Sequence, residues 1–184
     1  MTVGAQLSRV IRLRRQTIMI LSQTDPEPAR DPSLTVVQAT FESLDDTTQY
    51  APSPASLLQL RGFLESGRMG VQAYLNGVPS GHAWATTSAS TPVVVNGYFR
   101  LPPHSALIHH CRVAEGHRGR GIYGAMLRHL SKVALASGAE RVLLDADTAN
   151  TPSISGAGRA GFRVIGYGIY LQIAGTTVLR RQPL

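Results

Sequence analysis

The sequence has one cysteine, one lysine and one tryptophan in 184 residues. With Cys111 alone, no internal disulfide can form, and the chain suits a reducing compartment. No apolar run approaches the roughly 18 residues of a membrane span. Residues 17–21 (TIMIL) are too few for the apolar core of a signal peptide, which takes about 7–15 residues. A soluble, cytoplasmic protein is expected. Carboxylates are also scarce: 11 Asp plus Glu stand against 18 Lys plus Arg, a net charge of +7 with neutral histidines. Because Lys132 is the only lysine, the basic charge is carried by arginine, whose planar fork suits two-pronged contacts to phosphate. A phosphorylated ligand and a nucleic acid both fit that surplus, and a pI near 10.3 does not choose between them. What remains, 43% hydrophobic and 16% charged, is the composition of one globular domain with a full core.

Residues 5–16 (AQLSRVIRLRRQ) place Leu7, Val10, Ile11 and Arg14 at helical spacing, which predicts a helix with a solvated basic face. A membrane-surface or nucleic-acid patch is the competing reading. QTIMIL then predicts a short strand, and SQTDPEPARDP, with three prolines, a linker. Residues 1–32 are therefore set apart from a regular domain at 33–184. In that domain LTVVQATF predicts a strand, followed by an acidic turn at 42–46. Ser53, Pro54 and Gly67 bracket a helix as cap, first position and stop. Asn76-Gly77 joins two strands within residues 70–87, a strong hairpin signal. Val93–Val95 and residues 106–113 (ALIHHCRV) predict further strands. Residues 122–137 form the clearest helix, with Ile122, Met126, Leu130 and Val133 on one face and Gly138 as its stop. RVLLDAD predicts a buried strand, TPSISGAGRAG a glycine-weakened helix, and the remainder a closing pair of strands. The order implies an α/β (α+β) domain with a largely antiparallel sheet and one parallel crossover near its middle.

The stretch VAEGHRGRGIYGAML (113–127) carries two phosphate loops at once. Gly119-Arg-Gly121-Ile-Tyr-Gly124 is literally a dinucleotide-binding G-x-G-x-x-G. That reading needs an apolar strand running directly into the first glycine, and here the mostly polar Ala114–Arg118 intervenes. It also needs several further βα units, for which the 60 residues after Gly124 are too few. Asp145 and Asp147, near the distance of a ribose contact, do not rescue it. The other reading is Arg118-Gly119-Arg120-Gly121 opening a helix. The free amides and partial positive charge of a helix start make an anion site. Four positive charges and no carboxylate lie between residues 117 and 132.

Residues 113–162 resemble the acyl-CoA-binding core of GNAT-type N-acetyltransferases. Arg118, Gly121, Gly138, Leu143, Asn150, Ser153 and Gly161-Phe162 stand where that pattern wants them. The resemblance implies a single GNAT-like domain with a central parallel splay flanked by helices. It further implies acetyl-CoA as acyl-donor cosubstrate, with no metal. The amides of Arg118, Gly119, Arg120, Gly121, Ile122, Tyr123 and Gly124 would hold the pyrophosphate. The backbone at Arg112 and Val113 would pair with the pantetheine arm, and Asn150 and Ser153 would approach that arm from the far side. Two positions depart from the family: Tyr123 replaces the usual Gly or Ala, and Ala157 replaces a tyrosine that many members place to protonate the leaving thiolate.

The expected chemistry is direct attack of a primary amine on the thioester in a ternary complex. It requires a proton acceptor, and donors for the developing oxyanion. Alternation on strand 106–113 puts Leu107, His109, Cys111 and Val113 on one face, and His110 and Arg112 on the other. His109 is the expected base, because its side chain titrates near neutral pH. His110 and a structural role for His109 stand beside that reading. Cys111 as a nucleophile is disfavoured. Tyr167 and Tyr170 are the candidate acids, with Tyr170 preferred; protonation of the thiolate by water, with no acid residue, is the alternative. Asp145 and Asp147 are expected to be solvated strand ends, with binding of an ammonium as the competing reading. The acceptor is expected to be an amine, first of all an amino sugar, in nucleotide-linked form one whose phosphates would meet Arg61, Arg68 and Arg100. A small amine, an amino acid and a protein N-terminus or lysine are equal alternatives. No nucleic-acid partner and no membrane span are expected, and a homodimer is compatible. The alternatives are a non-catalytic CoA-binding or sensor domain and a basic nucleic-acid-binding protein.

Overall fold

The computed structural model describes residues 11–21, 31–50 and 53–184. Its ten strands are β1 (Ile11–Leu21), β2 (Leu34–Gln38), β3 (Met69–Leu75), β4 (Val78–Ser88), β5 (Val93–Val95), β6 (Phe99–Leu101), β7 (Ser105–Val113), β8 (Arg141–Asp147), β9 (Phe162–Ile173) and β10 (Thr176–Arg181). Three α-helices accompany them: α1 (Pro54–Glu65), α2 (Ile122–Ala136) and α3 (Thr151–Arg159). Eight strands form one sheet in the order β10-β9-β1-β8-β7-β4-β3-β2, and β5 and β6 form a separate ribbon. Every neighbouring pair is antiparallel except β7 and β8.

The amino-terminal reading needs correction. Residues 11–16, expected as the end of a helix, form one continuous strand with the predicted strand at 16–21. Residues 5–10 of that expected helix and the linker at 22–30 lie outside the described residues. β1 runs between β8 and β9 and exchanges hydrogen bonds with both. Two ladders satisfy its backbone along the strand, and tertiary pairing of this kind overrides a weak helical periodicity. Elsewhere the expected order holds, with three smaller differences. β2 stops at Gln38, short of residue 41, and the acidic turn winds into a 3-10 segment over Ser43–Gln49. Ser53 precedes α1 in extended conformation, yet its side chain makes no capping hydrogen bond. β6, which sequence periodicity did not announce, pairs with β5 over three residues.

Alternation divides the core. Ala83, Ala85, Ala106, Ile108, Leu144 and Met19 face α2 and α3, packing with Ile122, Met126, Leu130 and Ala157. Leu107, Leu143 and Ile18 face the opposite way, under Tyr98, Phe99 and Tyr170. Trp84 projects from β4 into a third cluster with Leu60 and Phe63 of α1. Both faces of the sheet centre are thereby covered, as a parallel pair requires.

Candidate active site

The parallel ladder between β7 and β8 covers only four pairs, from Ser105 with Arg141 to Ile108 with Leu144. Beyond it β7 runs on to Val113 and β8 to Asp147 without pairing to each other. The gap opens into a cavity of about 610 Å³ that crosses the sheet. On one side it is lined by Tyr123, Asn150 and Ser153. On the other it is lined by Arg14, Gln16, Asn96, Tyr98 and Asp145. A second cavity of about 440 Å³ lies against α1 and shares Gln59, His110 and Cys111 with the first.

A bulge in β7 changes which side chains face these spaces. Trp84 pairs with His109 and His82 with Arg112, so His110 and Cys111 together oppose Ala83. His110 supplies the extra residue in left-handed conformation, at φ 50°. The strict alternation expected for this strand therefore breaks at residue 110. Cys111 and Val113 pack into the core under α2. His109 and His110 instead both meet the Phe63 ring edge-on, with centroids 5.4 and 4.9 Å away. His109 is buried, its Nε2 lying 2.8 Å from Thr86 Oγ1 and its Nδ1 lying 3.4 Å from His110 Nδ1. Burial, with help from His110 and Arg68, pushes its pKa down to about 3. That makes His109 a neutral but weak base. His110 is exposed and borders both cavities, with its pKa lowered by partial desolvation of the ring and by Arg68. Burial pushes the Cys111 thiol up to about 12, which removes the thiolate a nucleophile needs.

At the start of α2 the backbone is laid open. Gly119 and Gly121 hold φ of 79° and 76°, and a Cβ added at either would meet nothing within 4 Å. Gly121 is the residue before the helix, and no side chain caps it. Among the described residues no backbone acceptor takes the amide hydrogens of residues 119–124. Arg118 and Arg120 are exposed at this end, Arg118 within 3.5 Å of Glu115. Converging free amides, a helix dipole and two guanidinium groups fit a diphosphate.

The model of the Acetyltransferase (GNAT) family matches residues 37–162. The chain belongs to the GNAT acetyltransferase family. Solved structures agree with this GNAT fold. A GNAT-family putative acetyltransferase from Novosphingobium aromaticivorans has 19% identity and a TM-score of 0.61, over 89% of this chain and 65% of its own. An acetyltransferase from Colwellia psychrerythraea has 17% identity and a TM-score of 0.61, over 93% and 61%. AAC(6')-Iy, solved in complex with the bisubstrate analogue CoA-S-monomethyl-acetylneamine, has 19% identity and a TM-score of 0.58, over 72% and 92%. The chain thus spans less than two thirds of the Novosphingobium and Colwellia proteins. No curated protein sequence matches it.

The two departures from the GNAT pattern are linked in space. The Tyr123 ring lies on Gly156, where an added Cβ would stand 2.7 Å from the ring, and its hydroxyl is 2.9 Å from Ser153 Oγ. Ala157, next to Gly156 on α3, is fully buried. A phenol thus reaches the cavity from α2 while α3 offers none. Burial holds that phenol protonated, its pKa well above the ordinary value. Asn150 lines the cavity, but its side-chain oxygen is engaged in capping α3, accepting from the Ser153 amide at 3.2 Å.

Tyr170 is placed differently from expectation. It is fully buried in the core under the β5–β6 ribbon and is not part of the cavity wall. Its ring packs on Tyr98 at 4.8 Å, and its hydroxyl has no hydrogen-bond partner among the described residues. Tyr170→Phe should therefore leave turnover unchanged and hold or raise the melting temperature, since a buried unpaired hydroxyl costs about 1–3 kcal/mol. Thermal melting and steady-state rates check this, and a large loss of rate would restore Tyr170 as an acid.

The arginines expected to meet a phosphorylated acceptor are also elsewhere. Arg61 pairs with Asp45 at 2.9 Å, Arg68 lies over the Phe63 ring at 4.4 Å, and Arg100 is exposed on β6. None of them lines either cavity. Asp145, expected as a solvated strand end, is instead drawn into the cavity wall and accepts a hydrogen bond from Tyr98 Oη at 2.6 Å.

Proposed function

We propose that this protein transfers an acyl group, acetyl first of all, from acetyl-CoA to a primary amine by direct attack in a ternary complex. The observation that carries the reading is the conjunction of two open backbone features. The unpaired edge of β7 leads from the cavity towards the free amides at the start of α2. Acetyl-CoA supplies the acyl group already activated as a thioester. The amides of residues 119–124, with Arg118 and Arg120, hold its diphosphate. Arg112 and Val113 pair along the pantetheine arm, and Asn150, at the start of α3, borders the arm from the far side. His109 stays as a neutral buried group that orients His110 through their shared contact. Tyr123 protonates the departing thiolate in the role that Ala157 cannot fill. An amino sugar remains the favoured acceptor class. AAC(6')-Iy, a protein of the same fold, holds an analogue joining CoA to acetylneamine, and the amides of Gln16, Gln59 and Asn96 offer partners for sugar hydroxyls. A cytoplasmic setting fits the donor. Among the described residues no helix is long and apolar enough to cross a membrane.

Thiol release from acetyl-CoA in the presence of an amine panel tests the reading. Expected is amine-dependent release together with a raised melting temperature on adding acetyl-CoA. Protection without turnover would make the protein a CoA-binding sensor. Salt-sensitive DNA binding indifferent to acetyl-CoA would make it a nucleic-acid-binding protein.

A further inference from the structure

The two sides of the cavity differ in chemistry. The α2–α3 side presents amides and hydroxyls. The other side presents one half-buried carboxylate, Asp145, with a guanidinium nearby, Arg14, that is turned to other partners. Arg14 points its Nε at Gln172 Oε1 at 3.0 Å and stacks its guanidinium on the Tyr98 ring, 5.0 Å from the centroid. Asp145 Oδ2 accepts from Tyr98, and beyond that, among the described residues, only the residue's own backbone N–H contributes a hydrogen bond. We infer that Asp145 docks the ammonium of the acceptor and takes its first proton. The inference rests on the acyltransferase reading above and names its acceptor-side residue and substrate class.

Three observations support it. Asp145 is half-buried and desolvated, and Arg14, the one cation facing it, spends its hydrogen bond and ring contact elsewhere; an ammonium entering the cavity supplies charge and donors at closer range. The position is also right: Asp145 stands one residue past Leu144, the last rung of the β7–β8 ladder, on the same face of β8 as Leu143. A bound amine is thereby held across the splay from Tyr123 and Cys111. Finally, the competing bases are weak or occupied. His109 is pushed down to about 3 and His82 to about 4, and His110, which borders both cavities, is lowered by desolvation and Arg68. Asp147 is exposed and caps its own turn by accepting from the Ala149 amide at 2.9 Å. Burial instead raises the proton affinity of Asp145. The groups facing it are Arg14 from β1, Tyr98 from the β5–β6 turn, Tyr170 from β9, Cys111 from β7 and Tyr123 from α2. Burial keeps the three phenols and the thiol protonated and neutral, so Arg14 is the only fixed charge in that set.

The step balances as follows. The acceptor ammonium gives one proton to the free carboxylate oxygen of Asp145, and the freed lone pair forms a C–N bond to the thioester carbonyl carbon. The C–S bond then breaks, its electron pair leaving on sulfur. The second proton lost by nitrogen balances the one that Tyr123 delivers to the thiolate, and the proton on Asp145 passes to solvent. The wall around Asp145 is amide and hydroxyl rather than apolar, so the fitting substrates are hydroxylated primary amines and not alkylamines.

The test uses the full chain with acetyl-CoA and glucosamine, neamine or hexylamine as acceptor. Asp145→Asn should lower kcat/KM for the better amino sugar by at least about 100-fold, the scale of a lost general base. Acetyl-CoA affinity should stay within about twofold, which also shows that the variant is folded. Wild-type kcat/KM should fall as the pH is lowered through the raised Asp145 pKa, because protonation removes the docking charge; the variant should lack that limb. Asp145→Glu should recover part of the rate. A variant rate within about threefold of wild type, or hexylamine as the preferred acceptor, would overturn the inference. If the wild type releases no thiol, the acyltransferase reading fails, and carboxyl carbon NMR of Asp145 still decides the docking. With CoA present, a shift of its resonance on adding glucosamine supports the ammonium site and no shift refutes it.

Discussion

Gly121→Asp is expected to raise the dissociation constant for acetyl-CoA by at least about 100-fold, which corresponds to about 2.7 kcal/mol. Gly121 sits at φ 76° immediately before Ile122, the first residue of α2. Three effects act on the same point. A carboxylate there faces a ligand diphosphate at close range, where like charges disfavour each other strongly. It also competes for the amides of the first turn, since an aspartate before a helix accepts from them. The left-handed backbone, which suits glycine, strains any other residue by about 1–3 kcal/mol. The fold itself should survive. A Cβ at residue 121 meets no atom within 4 Å, and capping by the new carboxylate offsets part of the strain. Titration calorimetry and the acetyl-CoA-induced melting shift read the effect, with Gly121→Ala as the variant carrying the strain without the charge. Unchanged affinity in Gly121→Asp would remove the start of α2 as the diphosphate site.

The cradle was legible because its signal is local. Glycine at two positions, flanking arginines and an apolar helix directly after them imply the geometry without knowledge of any distant contact. The central splay was legible for the same reason, as strand 106–113, helix 122–137 and strand 141–147 follow one another directly. What sequence could not supply are features made by distant pairing. β1 lies between β8 and β9, and its Arg12, Arg14 and Arg15 look like a solvated helix face until partners more than a hundred residues away are placed beside them. The bulge at His110 is invisible in ALIHHCRV, yet it decides that His109 and His110 share Phe63 while Cys111 turns under α2. Asp145 reads as a solvated strand end in sequence because its place in the cavity wall depends on Tyr98 arriving from the β5–β6 ribbon, 47 residues earlier. The one available signal was RVLLDAD itself: an aspartate two residues after a buried leucine shares its face, and that face continues into the core.

Trp84→Ala should destabilise the protein by about 3–5 kcal/mol, the range for losing a fully buried large aromatic. Trp84 is wholly inaccessible and pairs with His109 across the β4–β7 ladder. Its ring is fixed on two sides. It meets Phe63 of α1 edge-on at 5.4 Å, and it covers Gly70, where an added Cβ would stand 2.6 Å from it. Gly70 has no side chain to move into the vacated space, and β3 is held between β2 and β4, so the cavity cannot collapse cheaply. One feature works the other way: the indole Nε1 has no hydrogen-bond partner among the described residues, and removing it relieves a desolvation cost. The balance remains a large loss, because a fully buried large side chain is deleted against the cost of a single unpaired donor. The loss should be selective in its effect on function. Phe63 also supports His109 and His110, so turnover should fall with stability. The start of α2 packs on the opposite face of the sheet, so acetyl-CoA affinity in the folded fraction should hold. Urea denaturation followed by circular dichroism, with acetyl-CoA titrated at low urea, separates the two. A loss below about 1 kcal/mol would mean that α1 is not anchored through this ring, and the wall it gives the histidines would need another support.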